Sequence, residues 1–379
     1  MEVLVAGAGV GGLALARGLI DRGHRVRVLE AAPGLRRGGA AVTIFSNGAA
    51  ALAALGVDLD GAGGRTDTLA MRTADGRRAV TADLRVLHRA TGRPVTVVAR
   101  ERLIDRLAAG LPADLVRFDT PVDGVEVRDG YVTVVDAAGG EHRADVLVGA
   151  DGYRSAVRRA VLGDRPARDV GWSTWQGLGR VLPELAVGTT GLLLVGDAGL
   201  VGLMPAGGGV LQWWFDTRWG ATEPEPASAV AMLRERFGGY AEPVPALLDA
   251  VTDADVGRYP HVLHDVPDVW GRGTATLVGD AAHAFPPTQA QGANQAIEDA
   301  WLLGRLLDGP TDLVAALRRY EGLRARRVRL VARAAGTEST NKPLPAAVRL
   351  VAAALPPAVV GRIHLALIRR YSSVLHDER

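Results

Sequence analysis

The first thirty residues alternate between apolar runs and glycines. Residues 2–6 read Glu-Val-Leu-Val-Ala, a short apolar run of the kind that forms a strand buried in a parallel sheet. Glycines fill the next stretch, residues 13–19 have the composition of a helix, and residues 26–30 form a second strand that ends in an acid. The pattern predicts a strand, a tight turn, a helix and a second strand.

The glycines of this turn have a spacing that suits a phosphate group. Gly7 permits a tight turn, Gly9 leaves room for a pyrophosphate beside the backbone, and Gly12 allows the helix to pack closely on the strand. Glu30, eighteen residues after Gly12, is placed to accept hydrogen bonds from an adenosine ribose. The unit therefore predicts a bound dinucleotide, and by itself it does not distinguish FAD from NAD.

Two later segments also combine a strand with glycine and aspartate. Residues 274–278 are a β-branched apolar strand, and residues 279–294 continue as Gly-Asp-Ala-Ala-His-Ala-Phe-Pro-Pro-Thr-Gln-Ala-Gln-Gly-Ala-Asn before a helix with apolar positions at helical spacing. Residues 144–158 read Ala-Asp-Val-Leu-Val-Gly-Ala-Asp-Gly-Tyr-Arg-Ser-Ala-Val-Arg. Taken alone, this last segment is equally well explained as an ordinary strand followed by an Asp-Gly turn and by a helix that Ser155 caps.

In this order the three segments resemble the fingerprints of the FAD-dependent aromatic hydroxylases, single-component flavoprotein monooxygenases with a p-hydroxybenzoate-hydroxylase-like fold. The resemblance extends from Met1 to about Arg333, and the spacing is most similar to that of the urate- and salicylate-hydroxylase-like members. It implies that Asp280 hydrogen-bonds the ribitol chain of FAD and that Pro287 lies beside the isoalloxazine ring. It also implies that a helix N-terminus, which stabilises an anion, faces flavin N1 and O2. The residues there are Gln291, Gly292, Ala293 and Asn294.

The same resemblance implies further cofactor contacts. Arg100 begins a segment with the spacing of the helix whose leading arginine reaches the flavin phosphates in relatives, although Leu103 and Leu107 alone would indicate an ordinary amphipathic helix. Asp151 lies in the segment that relatives place near the pyrophosphate and the nicotinamide cofactor. The other contacts are assigned to Ala31, Arg37, Thr43, Val122 and Ala290.

Two positions depart from the family pattern. Ala284 stands in place of the first proline, and Ala290 stands in place of the first glycine of a Gly-Gln-Gly sequence. Alanine adds one methyl group, which is tolerable at position 290 if the backbone φ there is negative. FAD is therefore still expected to bind.

Composition narrows the classes of function. The chain has 44 basic and 42 acidic residues, a balance unlike that of a nucleic-acid-binding protein. The lack of cysteine excludes disulfides, thiolate metal sites, iron–sulfur clusters and a cysteine nucleophile. No apolar run reaches the length of a membrane span, and the N-terminus lacks the basic leader of a signal peptide. A cytoplasmic protein, monomeric or homodimeric, is expected.

Neither a metal nor a serine nucleophile is indicated, so the chemistry is assigned to a cofactor. The eight histidines are scattered, and there is no Gly-x-Ser-x-Gly motif. The resemblance implies that NADPH or NADH reduces tightly but non-covalently bound FAD. Reaction with O2 then gives a flavin C4a-hydroperoxide, which hydroxylates or epoxidises a small aromatic or polycyclic substrate. The alternatives are a flavin-dependent oxidase or reductase on this fold and a non-catalytic FAD- or ligand-binding protein.

The tryptophans indicate where the substrate binds, because five of the seven lie between Trp172 and Trp219. Strand alternation places Gln212 and Trp214 on one face of the strand at 210–216. The resemblance to urate hydroxylases implies that Gln176 and Gln212 touch the substrate and that Leu200 occupies a position where relatives can carry a base. The wall assigned to the substrate consists of Trp175, Gln176, Leu200, Gln212 and Trp214.

Such a wall favours a neutral, flat, largely apolar substrate, because neutral amides do not hold a carboxylate. For any single tryptophan the alternative is ordinary core packing. The candidate catalytic side chains are Gln212 and His261. His261 and His264 precede a strand near the domain junction, where a structural role is the simpler interpretation.

The predicted fold class is α/β, with a discontinuous Rossmann-like FAD-binding domain, a β-sheet substrate domain and a C-terminal helical tail. The FAD-binding parts are 1–70, 100–165 and 272–335; the substrate domain is 71–99 and 166–271, expected as one mixed sheet; the tail is 336–379. The tail alternates apolar residues with arginines and is broken by Pro356-Pro357. Such a tail usually packs on its own protein or on a second subunit, and a helix pair on a membrane surface is the alternative.

Overall fold

The computed structural model describes residues 1–36, 38–128, 130–309 and 311–376. The strands are β1 (Glu2–Ala6), β2 (Arg25–Leu29), β3 (Ala41–Ile44), β4 (Gly63–Thr66), β5 (Thr68–Thr73), β6 (Arg78–Asp83), β7 (Val95–Ala99), β8 (Val116–Arg117), β9 (Val122–Arg128), β10 (Tyr131–Asp136), β11 (Glu141–Ala144), β12 (Val146–Gly149), β13 (Arg168–Gly179), β14 (Thr190–Gly196), β15 (Gly199–Pro205), β16 (Leu211–Arg218), β17 (Gly257–Leu263) and β18 (Ala275–Leu277).

The helices are α1 (Val10–Ile20), α2 (Ser46–Ala54), α3 (Arg85–Thr91), α4 (Arg100–Ala108), α5 (Ala156–Leu162), α6 (Pro183–Ala186), α7 (Ala229–Phe237), α8 (Val244–Ala250), α9 (Asp280–His283), α10 (Gly292–Leu306), α11 (Leu313–Gly336), α12 (Ala346–Ala354) and α13 (Pro357–Tyr371). Short 3-10 turns span Asp253–Asp255, Pro287–Gln289, Ser339–Asn341 and Val374–His376.

A five-stranded parallel sheet in the order β18-β12-β1-β2-β8 forms the first core. Val3, Leu4 and Val5 of β1 are fully buried, because both α1 and a three-stranded antiparallel sheet in the order β11-β10-β9 pack against this sheet. The three glycine- or aspartate-bearing segments singled out in the sequence follow β1, β12 and β18. Since these strands are adjacent and parallel, all three segments leave the sheet at the same carboxyl edge, where α/β proteins bind nucleotides.

A seven-stranded mixed sheet in the order β17-β13-β16-β15-β14-β5-β6 forms the second core. One face packs against α7 and α8, where Leu233, Phe237 and Leu247 are fully buried. The expectation of one mixed sheet is right for β5, β6 and β13 to β17. It is wrong for β7, which pairs with β3 and β4 in a separate antiparallel sheet.

The end of the chain packs partly on its own protein, as expected for such a tail. Helix α13 lies against β6 and α3, and Leu365 and Ile368 are buried there. The approach at Gly361 is so close that a Cβ would collide with the carbonyl oxygen of Asp83. Among the described residues no single helix is long and apolar enough to cross a membrane, and the only pair that qualifies together, α12 and α13, is bent by 107°.

Predicted boundaries were close where periodicity was strong. The helix predicted over residues 13–19 extends over Val10–Ile20. The strand predicted over 274–278 is shortened to Ala275–Leu277. Strand ends depend on partner strands, which single-sequence periodicity does not contain.

Candidate functional site

The turn after β1 has an open backbone at the start of α1. Gly7 has a φ of +101°, and a Cβ there would lie 2.5 Å from the carbonyl oxygen of Ala150. A Cβ on Gly12 would collide with the carbonyl oxygen of Gly7, whereas a Cβ on Gly9 would meet no atom within 4 Å. Helix α1 has neither a capping side chain nor an acid in its first turn. Its first N–H groups are therefore available to an anionic group.

Glu30 braces this turn from the end of β2. One carboxylate oxygen accepts the N–H of Ala8 at 2.7 Å, and the other accepts the N–H of Ala32 at 2.9 Å. Glu30 is half-buried, and the neighbouring Ala31 is exposed beside it. The acid predicted to face a ribose thus lies directly against the glycine turn.

Asp280 begins α9 at the carboxyl edge and is the unpartnered carboxylate of the site. Its side chain is accessible and makes no hydrogen bond with any described residue. Although Asp280 is exposed on one side, the protein atoms around its carboxylate displace part of its hydration; this desolvation raises the pKa of Asp280, while the nearby His283 and Arg100 oppose that rise. Arg100 therefore lies close to Asp280, although 180 residues separate them in sequence. A polyol donor would satisfy this carboxylate.

The N-terminus of α10 is tied to β3 and α2. Asn294 donates through Nδ2 to the carbonyl oxygen of Thr43 at 2.9 Å and accepts the N–H of Phe45 through Oδ1, also at 2.9 Å. Asn47 donates through Nδ2 to Gln291 Oε1 at 3.0 Å. Helix α10 lacks a capping side chain and an acid in its first turn, so the N–H groups that begin it, those of Gly292 and Ala293 included, are available.

The backbone at Ala290 corrects one expectation. Its φ is +48° and its ψ is +33°, a left-handed conformation, so the negative φ on which tolerance of alanine depended is not present. An L-residue with a Cβ is strained there by about 1–2 kcal/mol relative to a right-handed conformation. Pro287 opens the preceding 3-10 turn and is exposed.

The segment after β12 serves as a helix start and as a brace for α9. Ser155 accepts the N–H of Arg158 at 2.8 Å and so caps α5. Asp151 also contributes, because its Oδ2 accepts the N–H of Ala156 at 2.8 Å, while its buried Oδ1 has no partner among the described residues. The buried Arg158 guanidinium donates to the carbonyl oxygens of Ala281 and Ala282 at 3.0 and 2.8 Å.

A buried ionic network that the sequence interpretation missed lies beneath α9 and α10. Arg324 of α11 donates to Asp299 at 2.6 Å and to Glu298 at 3.0 Å, and all three side chains are fully buried. Asp299 also accepts the N–H of Gly279 at 2.8 Å and lies 2.6 Å from His283 Nε2. Burial opposes ionisation of Asp299, but the positive charges of His283 and Arg324 outweigh it and lower its pKa.

A signal for this network was present in the sequence. Arg324 falls at helical spacing with Leu317, Tyr320 and Val328, and a charge on an apolar helix face indicates a buried partner.

The two faces of the seven-stranded sheet separate the predicted substrate residues. Gln176 pairs with Trp214, Gln212 pairs with Met204, and Leu200 lies on the same face. Trp214 covers Gly202, where a Cβ would collide with the indole. Gln212 donates to the carbonyl oxygen of Ala41 at 3.1 Å, which joins this face to β3, and its buried Oε1 has no partner among the described residues.

Trp175 lies on the opposite face, and this placement corrects its assignment to the substrate wall. It pairs with Phe215, is 2% exposed, and packs in the core beneath α7 and α8 with Trp213. The reason is strand alternation, because Trp175 and Gln176 are adjacent and must point to opposite faces. Core packing was the alternative stated for these tryptophans, and it holds for Trp175.

His261 has both ring nitrogens engaged. Nδ1 lies 2.8 Å from Glu338 Oε1, and Nε2 lies 2.7 Å from Thr174 Oγ1, which in turn donates to Asp216. Burial opposes the positive charge, but the Asp216 and Glu338 carboxylates outweigh it and raise the pKa of His261 to about 9. Nearby, burial lowers the pKa of His264 to about 4, and its Nε2 donates to the carbonyl oxygen of Tyr153 at 3.0 Å.

Two residues that were expected to contact the cofactor remain to be located. Val122 begins β9 and is half-buried, and Arg37 lies outside the described residues. In the part of the chain that the structure describes, no group of three or more His, Asp or Glu side chains is placed to hold a metal ion.

The chain is similar to known flavoproteins along most of its length. A family model described as an FAD binding domain matches residues 1–335. The aurachin C monooxygenase/isomerase of Stigmatella aurantiaca is 34% identical over 339 residues, which cover 86% of each chain. The FAD-dependent urate hydroxylase of Klebsiella pneumoniae is 34% identical over 336 residues, 87% of each chain. The crystal structure of Klebsiella pneumoniae HpxO complexed with FAD and uric acid superposes with a TM-score of 0.90 at 29% identity, covering 98% of this chain and 97% of that one.

Proposed function

The chain belongs to the FAD binding domain family, whose similar members are FAD-dependent monooxygenases, and from that premise we propose its substrate and reductant. The enzyme hydroxylates or epoxidises a small, flat, neutral aromatic or polycyclic compound, with NADPH or NADH as electron donor and O2 as oxidant. One oxygen atom enters the substrate, and the other leaves as water with the two electrons of the nicotinamide. The observation that carries the proposal is the sheet face on which the uncharged side chains of Gln176, Leu200, Gln212 and Trp214 lie together. Asp216, which pairs with Leu200 on this face, already accepts a hydrogen bond from Thr174 and lies 3.6 Å from His261 Nε2.

FAD fits the residues at the carboxyl edge of the parallel sheet. Two uncapped helix N-termini are directed there, the backbone at Gly9 is open, and the carboxylate of Asp280 lacks a partner. When bound, FAD supplies electron transfer from the nicotinamide and activation of O2. The residues that would hold it are Gly7, Gly9, Gly12, Glu30, Ala31, Thr43, Arg100, Val122, Asp151, Asp280, Pro287, Ala290, Gln291, Gly292, Ala293 and Asn294.

The N-terminus of α10 would stabilise negative charge at the pyrimidine end of the flavin. Its first N–H groups have fixed positions, because Asn294 is held by Thr43 and Phe45 on one side and by the Ala290 carbonyl oxygen on the other. Preorganised donors of this kind need no reorganisation when charge develops.

The substrate face orients a neutral ring and excludes water. The apolar side chains of Leu200, Met204 and Trp214 form a largely dry surface. The unpartnered Oε1 of Gln212 offers an acceptor to a donor group, whereas nothing in this wall would neutralise a carboxylate. Gln212 therefore touches substrate and does not transfer a proton.

His261 is a positioning residue and not a proton relay. Both nitrogens already bond protein groups, and Glu338 and Thr174 leave no free donor or acceptor on the ring. The pair of His261 and Glu338 holds the 3-10 turn Ser339–Asn341 against β14 and β15 beside the substrate face. His261 thereby supports the shape of the site from a distance.

Ligand-dependent oxidation of NADPH or NADH by the holoprotein tests the proposal. Neutral bicyclic aromatics should accelerate nicotinamide oxidation and gain one atom from isotopically labelled O2, detected by mass spectrometry. Urate and benzoate serve as anionic comparators, and tighter binding of either would contradict a neutral substrate. Gln212→Leu should lower turnover with FAD retained, whereas Asp280→Ala should lower the amount of FAD that copurifies.

A further inference from the structure

Helices α12 and α13 carry an unusual share of the exposed apolar surface. Of ten large hydrophobic residues that are exposed in the described part of the chain, five belong to these two helices. Leu350 is 72% exposed and Val351 is 67% exposed. The five residues are Val348, Leu350, Val351, Ile363 and Leu367.

The exposed positions form stripes with helical spacing. Positions i, i+3, i+4 and i+7 lie on one side of a helix, and both helices expose such a set. In α12 the set is Ala347, Leu350, Val351 and Ala354, and in α13 it is Ile363, Ala366, Leu367 and Arg370. We call these two sets, together with the exposed Arg362 and Arg369 of α13, the tail surface.

Intramolecular packing does not account for the tail surface. Helix α13 already buries its other side, including Leu365 and Ile368, against the protein. Helix α12 has no buried residue at all, although its sequence Ala-Ala-Val-Arg-Leu-Val-Ala-Ala-Ala is apolar except for Arg349. Helix α12 lies beside β6 and has Arg349, Ala352 and Ala353 half-buried, so it is the opposite, exposed apolar side that indicates an external partner.

The charge of this region specifies what kind of partner fits. Between Lys342 and His376 the sequence has five cationic residues and no acidic one, and Asp377, Glu378 and Arg379 follow outside the described residues. Arg362, Arg369 and Arg370 are exposed and make no ion pair with a described residue. The partner must therefore present apolar area and negative charge together.

We propose that the tail surface docks on an anionic lipid bilayer, with the apolar stripes at the level of the acyl chains and the arginines among the headgroups. Amphipathic helices with apolar and cationic residues bind bilayers in this way, and the 107° bend makes the pair unsuited to crossing as one straight helix. A second copy of the chain fits less well, because a twofold contact would bring the same unpaired arginines together. The proposal concerns a surface outside the candidate site and does not depend on the substrate.

Flotation of the holoprotein with lipid vesicles tests the docking. The vesicles contain either phosphatidylcholine alone or phosphatidylcholine with roughly one third phosphatidylglycerol, at about 0.1 M and about 1 M salt. Flotation with the anionic vesicles at low salt, and release at high salt, is expected. The double variant Leu350→Gln/Val351→Gln should bind about tenfold more weakly, because the apolar area is lost.

Matched variants separate the apolar contribution to vesicle binding from the ionic contribution. Arg362→Gln/Arg369→Gln should abolish the preference for anionic vesicles, whereas Val187→Gln, at a residue that is 75% exposed outside the tail, should change nothing. Absorbance of bound FAD confirms that each variant is folded. The proposal would be overturned if the protein did not float with the vesicles, or if the Leu350→Gln/Val351→Gln variant floated equally well. It would also be overturned if light scattering showed a wild-type dimer that dissociates in this variant, because the tail surface would then be a contact between copies.

Discussion

Ala290 has a left-handed backbone immediately before α10, at the point where the family pattern has glycine. Its φ of +48° is enforced by a 3-10 turn on one side and a helix start on the other, and its N–H donates to the Pro287 carbonyl oxygen at 2.7 Å. Surrounding hydrogen bonds therefore hold a conformation that alanine disfavours. Strain of this kind beside the proposed flavin site is a local property that substitution can measure.

Replacing Ala290 by glycine should stabilise the protein. The variant Ala290→Gly should raise the free energy of unfolding by about 0.5–1 kcal/mol, because relief of the left-handed strain exceeds the entropy that glycine adds to the unfolded chain. Urea titration of the holoprotein measures the change. The control Ala293→Gly, in the first turn of α10, should lower stability by a similar amount. Destabilisation by both variants would contradict a strained Ala290.

At the scale of elements, neighbouring residues of β13 and β16 point to opposite faces of the sheet and therefore have different roles. Trp213 and Trp175 belong to the face covered by α7 and α8, whereas Trp214 and Gln176 belong to the face joined to β3 through Gln212. A shift of pairing by one residue would exchange these sets. The tryptophan cluster is therefore divided: Trp175 and Trp213 are core residues, whereas Trp214 belongs to the candidate substrate wall.

Two tryptophan variants distinguish the faces. Trp175→Phe should lower the free energy of unfolding by roughly 1–3 kcal/mol because it leaves a cavity in the core, with the KM for the aromatic substrate unchanged. Trp214→Phe should raise that KM several-fold and destabilise less. Denaturant titration and steady-state kinetics on both variants measure the two effects. An altered KM in Trp175→Phe alone would contradict the assignment of faces.

The contact between His261 and Glu338 should make stability depend on pH. The folded pKa of His261 is about 9 and its unfolded value is 6.5, so its contribution is complete below pH 6.5 and is lost as the pH rises through 9. Across that pH range the unfolding free energy of the wild type should fall by on the order of 3 kcal/mol more than that of His261→Asn.

His264→Asn is the control for this window. Its folded pKa of about 4 lies below the unfolded value, so His264 is neutral in both states above pH 6.5, and the variant should keep the wild-type slope. Denaturant titrations at several pH values give these slopes. Equal slopes for His261→Asn and the wild type would show that His261 is not a buried cation.

At the scale of the whole molecule, one buried arginine joins segments that are far apart in sequence. Arg324 contacts Glu298 and Asp299 of α10, and Ser373 near the chain end donates its N–H to the same Glu298 at 2.5 Å. Asp299 in turn holds the Gly279 turn before α9. The C-terminal segment, the long helix α11 and the candidate cofactor site therefore share one ionic cluster.

Removal of this arginine should be costly. Arg324→Leu should destabilise the protein by about 3–5 kcal/mol, because it leaves two buried carboxylates without their counter-ion. It should also reduce FAD retention, since the Gly279 turn loses its anchor. The control is Arg326→Leu, on the exposed side of the same helix, which should change stability by less than about 0.5 kcal/mol. Thermal unfolding and FAD absorbance give both readouts, and similar losses in the two variants would contradict the model of a buried cluster.

Much of the candidate site could be predicted because it is encoded in neighbouring residues. Gly7, Gly9 and Gly12 act through the backbone of one turn, and the helix after Gly292 follows from a local apolar period. Such signals lie entirely within short stretches of neighbouring residues. The Rossmann-like core, the FAD fingerprints and their order along the chain were therefore readable in advance.

Tertiary structure alone decided the rest. Which face Trp175 takes, where β7 pairs, and which carboxylates neutralise Arg324 and His261 are settled by strands and helices distant in sequence. The left-handed Ala290 and the uncovered α12 are likewise consequences of how neighbouring elements meet. The physical reason is common to all of them: periodicity and glycine spacing are properties of adjacent residues, whereas burial, pairing and strain depend on contacts between segments that no local pattern contains.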